Sequence, residues 1–189
     1  MFDYKYALRQ RLQHLRAMIP SDVRAKHAKA MSAHVLQAPW WQEARVIALY
    51  AARNNEVDLS ALISDAWHRG CTVALPRVCG EGLMQMHQCD PKSSYELNHW
   101  GIKEPLASSP CIGPQSIDLI MMPSIAVDAR GYRLGYGGGY YDRFLAKAPQ
   151  ALRCTCVMDC QCVVELSNEE HDIPAHWVVT PSGIWHAGG

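Results

Sequence analysis

Residues 117–143 read IDLIMMPSIAVDARGYRLGYGGGYYDR, and the rest of the chain organises around them. Ile117 to Pro123 is apolar at consecutive positions, as a parallel strand covered on both faces must be. Five glycines follow within nine residues (Gly131, Gly135, Gly137, Gly138 and Gly139), and a helix is predicted from Tyr140 to about Ala148. Strand, glycine-dense loop and helix in that order put bare backbone at the carboxyl end of a central strand. Open α/β sheets bind their ligands there.

The same rhythm recurs upstream. Arg45 to Tyr50 (RVIALY) reads as a buried strand. Asp58 can cap a helix through LSALISDAWHR, Gly70 can stop it, and CTVALP (71–76) is a second short strand ended by Pro76. Strand, helix and strand in succession predict a right-handed crossover and a parallel sheet. LMQMHQ (83–88) alternates like a half-exposed strand, whereas the remainder of Arg77 to Pro114 carries loop punctuation at Pro91, Pro105, Pro110 and Pro114. RCTCVM (153–158) and HWVVTP (176–181) are further strands.

At the N-terminus Tyr4, Leu8, Leu12 and Leu15 recur at helical spacing through Met18, with Lys5, Arg9 and Arg16 on the opposite face. Pro20 ends that helix, and Ser21 or Asp22 can cap a second one to about Leu36. No repeat or linker divides the chain. The expectation is one three-layer α/β domain over residues 1–189. Its mostly parallel central sheet is flanked by helices, with the N-terminal helices packed on one side.

Composition narrows the function. The 189 residues carry 18 Lys+Arg against 18 Asp+Glu, a formal net charge of zero that supplies no field for phosphate backbones or anionic lipid. With 49% hydrophobic and 19% charged residues, the chain can fill a core. No apolar run approaches the roughly 18–20 residues a bilayer span needs. MFDYKYALRQRLQHLR has no apolar h-region, so no secretory signal is expected. These features predict a cytoplasmic monomer acting on small molecules, without nucleic-acid or membrane partners. The eight cysteines end in C-x-C-x3-C-x-C (Cys154, Cys156, Cys160, Cys162), a spacing that departs from zinc knuckles. They are expected to be idle thiols; a metal-binding interaction module is the competing reading.

Chemistry gathers in the glycine loop. Side-chain-free backbone exposes successive N–H groups, and the following helix adds the positive end of its dipole, so oligophosphate is the natural guest. The loop is neither a Walker A motif, which needs Gly-Lys-Ser/Thr, nor G-x-G-x-x-G, because Tyr140 occupies the last position. A glycine-rich surface turn is the plain alternative, but Arg133, the tyrosines and Asp142 flank it. Asp142, in the first helical turn, either offsets the dipole or holds magnesium against phosphates. Arg133 either neutralises phosphate or pairs with Asp128.

The run RLGYGGGYYDR, preceded by MMPSIAVDARGY, closely resembles the signature of the 5-formyltetrahydrofolate cyclo-ligase (methenyltetrahydrofolate synthetase) family. Lys5 and Arg9 on the first helix, Glu56 in NNEVD, VALPRV, HWGIKEP and EEHDIPAHWVVT resemble further family segments in order, from about residue 5 to 180. The resemblance implies ATP-dependent closure of 5-formyltetrahydrofolate to 5,10-methenyltetrahydrofolate, with ADP and phosphate released. A catalytically idle folate- or nucleotide-binding protein of the same fold is the alternative.

Carried over, Lys5, Arg9, Arg133, Leu134, Gly135, Tyr136, Gly137, Gly138, Gly139, Tyr140 and Tyr141 are expected to bind ATP. Arg133 and Tyr141 are expected to act in catalysis. Ala51, Glu56, Trp100 and the stretch from Tyr136 to Tyr140 are expected to meet the folate, and Asp142 and Asp172 to ligate Mg2+. Tyr50 is expected to line the same pocket. Read without the family, Lys5 and Arg9 form a solvated basic stripe and Asp172 is a turn carboxylate. Glu56 is then a first-turn acid, and Trp100 is packing. The chain departs from the family pattern at Ser124, Val127 and Leu59, and at Gly138 it has the Gly of some members where others have Lys.

Overall fold

The computed structural model describes residues 4–188. The chain begins with α1 (Tyr4–Met18), α2 (Ser21–Gln37) and α3 (Pro39–Glu43), then β1 (Val46–Ala48), α4 (Ser60–His68), β2 (Thr72–Gly80) and β3 (Leu83–Cys89). β4 (Tyr95–Leu97), β5 (Lys103–Pro105), β6 (Cys111–Ile112), β7 (Leu119–Met122), β8 (Ala126–Val127) and β9 (Arg133–Leu134) lead to α5 (Tyr140–Leu145). β10 (Leu152–Cys156), β11 (Trp177–Thr180) and β12 (Gly183–His186) complete it.

One eight-stranded sheet runs in the order β12-β11-β10-β7-β1-β2-β3-β6. The pairs from β11 to β2 are parallel, and β12, β3 and β6 are antiparallel additions at the two edges. The two-residue period of the strands sorts their side chains into two cores. Ile47, Leu49, Leu119, Met121, Cys154 and Cys156 face the layer of α2, α3 and α4, with Met31, Val35, Trp41 and Leu62. Ala48, Ala74, Ile120 and Met122 face Phe144, Leu145 and Ala148 on the other side. The expected mostly parallel α/β sheet with flanking helices is what these residues build. α2 lies over the sheet near β11 and β12, while α1 extends beyond it and sets Leu8 and Leu12 against Ile125, Ala126, Leu134 and Leu166.

Several expectations change. Pro76 does not end its strand: β2 continues to Gly80 and pairs Pro76 with Met86 on β3. Ala74 accepts from Leu49 N–H on the β1 side, so two-residue parity turns the Pro76 nitrogen to that side, where β1 has already stopped. A missing N–H costs nothing there. Within residues 77–114, β4 and β5 form a hairpin and β6 extends the sheet, elements too short for an alternation test to find. The glycine-dense loop begins with another hairpin, β8–β9, and α5 stops at Leu145, short of the expected Ala148. Six residues make a weak dipole, so backbone N–H groups and neighbouring cations must supply most of the positive field.

Candidate active site

The loop is anchored before it reaches the site. Asp128 is buried and accepts the N–H groups of Arg130 (3.0 Å), Tyr132 (3.0 Å) and Leu166 (3.1 Å) together with the Arg130 guanidinium (3.0 Å). That carboxylate builds the β8–β9 turn, so its charged partner is Arg130 and the expected Asp128–Arg133 bridge does not form. Gly131 sits in the same turn at φ 83°, and a Cβ there would lie 2.3 Å from the Ala175 carbonyl oxygen. Gly139, at φ 64°, lets the chain enter α5 in the left-handed region. The departures at Ser124 and Val127 are absorbed in the interior: Val127 packs with Val157 and Val178, and Ser124 Oγ meets Thr155 Oγ1 at 2.8 Å.

α1 lies against this loop along a stripe of residues 5, 9, 12 and 16, whose four-, three- and four-residue steps keep them on one face. Lys5 Nζ is 3.1 Å from Glu169 and 3.8 Å from Asp172. Arg9 Nε donates to the Gly135 carbonyl at 2.9 Å, and its guanidinium lies 3.6 Å from where a Cβ at Gly137 would sit, an ordinary contact. Arg16, expected on an outward polar face, is buried at 5% exposure and donates to Tyr136 Oη at 3.1 Å. Leu12 shares its stripe and packs on the β8–β9 hairpin, which draws Arg16 inward with it.

At the next position round the loop, Arg133 reaches two partners. Its Nη2 donates to Asp142 Oδ1 at 2.8 Å and its Nη1 to the Ile173 carbonyl at 2.6 Å. The Ile173 N–H also donates to Asp142 Oδ1, at 3.3 Å, which brings the adjacent Asp172 segment beside the first turn of α5. Arg153 Nε holds the Pro174 carbonyl at 2.8 Å. Asp142 and Asp172, more than two dozen residues apart in sequence, thus come to neighbouring stretches of backbone.

Among the described residues no group of three or more His, Cys, Asp or Glu forms a metal cage. Magnesium commonly takes one or two carboxylates plus substrate oxygens. Asp142 fits that donor set: among the described residues its Oδ2 takes no hydrogen bond.

The other half of the site gathers around Glu56. Tyr50, buried, donates to the Val57 carbonyl at 3.1 Å and so braces the segment that carries Ala51 and Glu56. Glu56 Oε1 accepts the Tyr136 hydroxyl at 2.5 Å and Oε2 the Arg53 N–H at 2.7 Å. Burial, with the Glu56 charge beside it, pushes the Tyr136 phenol up to about 12. The same two causes raise Tyr141, whose hydroxyl is buried without a hydrogen-bond partner among the described residues. A groove of about 620 Å³ runs from Glu56 between α2 and the start of α4; Ala51, Tyr136 and Trp100 are not among the residues that line it. Trp100, on the β4–β5 turn and 37% exposed, stands edge-on to Tyr140 with ring centroids 6.1 Å apart.

The structure therefore brings Arg9 to the glycine loop at Gly135, Lys5 to Asp172, the Asp172 segment to Asp142 through Ile173, and Glu56 to Tyr136, while Ala51 shares the segment after β1 with Glu56. Trp100 reaches the loop at Tyr140. Two residues with a part in this geometry escaped the sequence reading. Arg143 donates to the Gly82 carbonyl at 2.8 Å and to the Gly138 carbonyl, pinning the loop to the β2–β3 turn. It closes the glycine motif in sequence, so proximity to that motif was the available signal; Arg16 offered only its helical register. The thiols are all free: Cys154 and Cys156 lie in the core, and Cys160 and Cys162 are exposed. No described helix is long and apolar enough to cross a membrane.

Comparison with known proteins bears on the family and the fold. The model of the 5-formyltetrahydrofolate cyclo-ligase family matches residues 2–181. The 5-formyltetrahydrofolate cyclo-ligase of Escherichia coli (strain K12) is 32% identical over 178 residues, covering 92% of this chain and 97% of that protein. The NMR structure of Aquifex aeolicus 5,10-methenyltetrahydrofolate synthetase superposes with a TM-score of 0.86 at 27% identity, over 98% of this chain and 93% of that one. A 5,10-methenyltetrahydrofolate synthetase from Mycoplasma pneumoniae shares the fold at a TM-score of 0.78 and 18% identity, over 94% of this chain and 99% of that one. With a family match across nearly its whole length, the chain belongs to the 5-formyltetrahydrofolate cyclo-ligase family.

Proposed function

We propose that this protein closes 5-formyltetrahydrofolate to 5,10-methenyltetrahydrofolate at the expense of ATP, in a single domain, at the junction of α1, the glycine loop and the Glu56 pocket. The convergence of Arg9 on Gly135 with Tyr136 on Glu56 carries the reading, because one loop thereby joins a cationic cradle to a pocket for a ring system.

The chemistry explains why both halves are needed. An N-formyl oxygen is a poor leaving group, so direct loss of water during ring closure is slow. The formyl oxygen attacks the γ-phosphorus, the bond to the ADP oxygen breaks, and an imidate phosphate forms. The neighbouring folate nitrogen then adds to the activated carbon and gives up its proton to solvent, and the C–O bond breaks as phosphate departs. Such a transfer needs alignment and charge neutralisation more than a protein nucleophile. Lys5, Arg9 and Arg133, with the backbone from Leu134 to Tyr140, cradle the phosphates. The Tyr141 hydroxyl, without a hydrogen-bond partner among the described residues, is a donor for the transferring group. Glu56 accepts the amino and ring N–H donors of the reduced pterin, Ala51 lines its edge, and Trp100 walls its face. Asp142 and Asp172 would hold Mg2+, which would supply charge neutralisation to the phosphates. The same reading places the enzyme in the cytoplasm as a monomer.

The test is the rise in near-ultraviolet absorbance of the methenyl product when purified protein meets magnesium-ATP and 5-formyltetrahydrofolate. The signal should appear only with ATP present. A folded protein that binds either substrate by calorimetry yet forms no product and releases no ADP is the idle binder, and the enzymatic reading falls.

A further inference from the structure

α1 contributes a buried arginine to which neither the family motif nor the roles above give work. Arg16 is 5% exposed, its Nη2 donates to Tyr136 Oη, and its Nε is buried with no hydrogen-bond partner among the described residues. A guanidinium stays charged at any accessible pH, and removing it from water unpaired is costly. No carboxylate pairs with Arg16 directly among the described residues; its charge meets that of Glu56 across the Tyr136 phenol.

The direction of these bonds matters. Arg16 can only donate, so it occupies a lone pair of the Tyr136 oxygen and leaves the phenolic hydrogen to point at Glu56. The phenol, pushed up to about 12, keeps that hydrogen across the working pH range. Glu56 is then held at both oxygens, by Tyr136 at 2.5 Å and by the Arg53 N–H at 2.7 Å, which fixes the carboxylate plane. A carboxylate offers about four acceptor sites, so a lone pair on each oxygen remains for a pair of substrate N–H donors.

We propose that Arg16 is a positioning residue of the folate pocket, acting through Tyr136 to hold Glu56 as a paired acceptor for the reduced pterin. This rests on the folate role proposed for Glu56. It adds a helix α1 residue to specificity for the folate, alongside the phosphate role of its neighbours Lys5 and Arg9.

Steady-state kinetics of the full chain with magnesium-ATP and 5-formyltetrahydrofolate test it. Arg16→Gln and Tyr136→Phe should each raise the KM for folate about tenfold, the loss expected for a hydrogen bond in a charged network. The KM for ATP should stay within about twofold, the mark of an interaction made with one substrate alone. The double variant should be no worse than the weaker single, because the three residues act as a unit, and Arg16→Lys should recover part of the loss. Parallel rises in both KM values would make Arg16 a packing residue and overturn the proposal, as would an unchanged folate KM in Tyr136→Phe. If Arg16→Gln does not fold, Tyr136→Phe decides, since it breaks the relay while keeping the cation. Glu56→Gln separates the levels: an unchanged folate KM there sinks the pocket assignment and the relay together. A raised one with Tyr136→Phe unaffected sinks the relay alone.

Discussion

The two ends of the site differ in how their charges are held. At the Arg133 end the protein supplies its own counter-ion: Arg133, with its side chain 5% exposed, pairs with Asp142, and Lys5 bridges to Glu169. Backbone carbonyls of Ile173 and Pro174 tie that cluster to the strand scaffold. At the Glu56 end, among the described residues, the anion meets the Arg16 cation through a phenol, and the rings of Tyr136 and Trp100 are part-exposed. One end is cross-linked and pre-paired; the other keeps acceptor sites and aromatic faces available. An oligophosphate brings the same charge in any pose, so a rigid cationic cradle suits it. A pterin must be read by its pattern of donors, which requires lone pairs left unspent.

Breaking the pre-paired end should have the largest effect. Asp142→Ala strands the Arg133 guanidinium without its counter-ion and should cost about 3–5 kcal/mol of stability, with turnover sharply reduced and its magnesium requirement raised. Denaturant unfolding and a magnesium titration of the residual rate measure both; wild-type stability would show that the ion pair does not brace this end. Arg133→Ala leaves the more exposed partner behind, so its stability loss should be smaller than that of Asp142→Ala. Its turnover should still fall by about 10²–10³-fold, as for other lost transition-state donors. Equal stability losses in the two variants would contradict the asymmetry of their burial.

At the open end the effects should be smaller and confined to one substrate. Trp100→Ala should raise the folate KM by several-fold, about the worth of one aromatic contact, and leave the ATP KM unchanged. A matched rise for ATP would make Trp100 a support for the loop at Tyr140. Lys5→Ala should change stability by less than ~1 kcal/mol because its bridge to Glu169 is solvent-screened, whatever it does to ATP affinity.

The finest distinction is in alkali. The folded Tyr136 phenol is raised from 10.0 to about 12, so its contribution is fully present below pH 10 and lost as pH climbs toward 12. Tyr136→Phe should therefore lose less stability than wild type across that window, in parallel thermal melts. Identical slopes would remove the phenol from the relay.

Local pattern alone specified the parallel core strands, the α4 stop at Gly70, the thiols facing the core from β10, and the glycine loop after the central strand. Each depends on periodicity or on a single residue's backbone freedom, and both are properties of a short stretch. Pairing was beyond reach of that reading. Pro76 looks like a terminator until β1 is seen to end before it, Arg133 chose Asp142 over Asp128 because Asp128 is consumed in its own turn, and Arg16 is drawn inward only because Leu12 packs on the β8–β9 hairpin. The physical reason is one of range. Strand and helix periods are written along the chain, whereas the partner of a charge depends on which distant segments arrive within a few ångströms of it, and that is settled only when the whole fold closes.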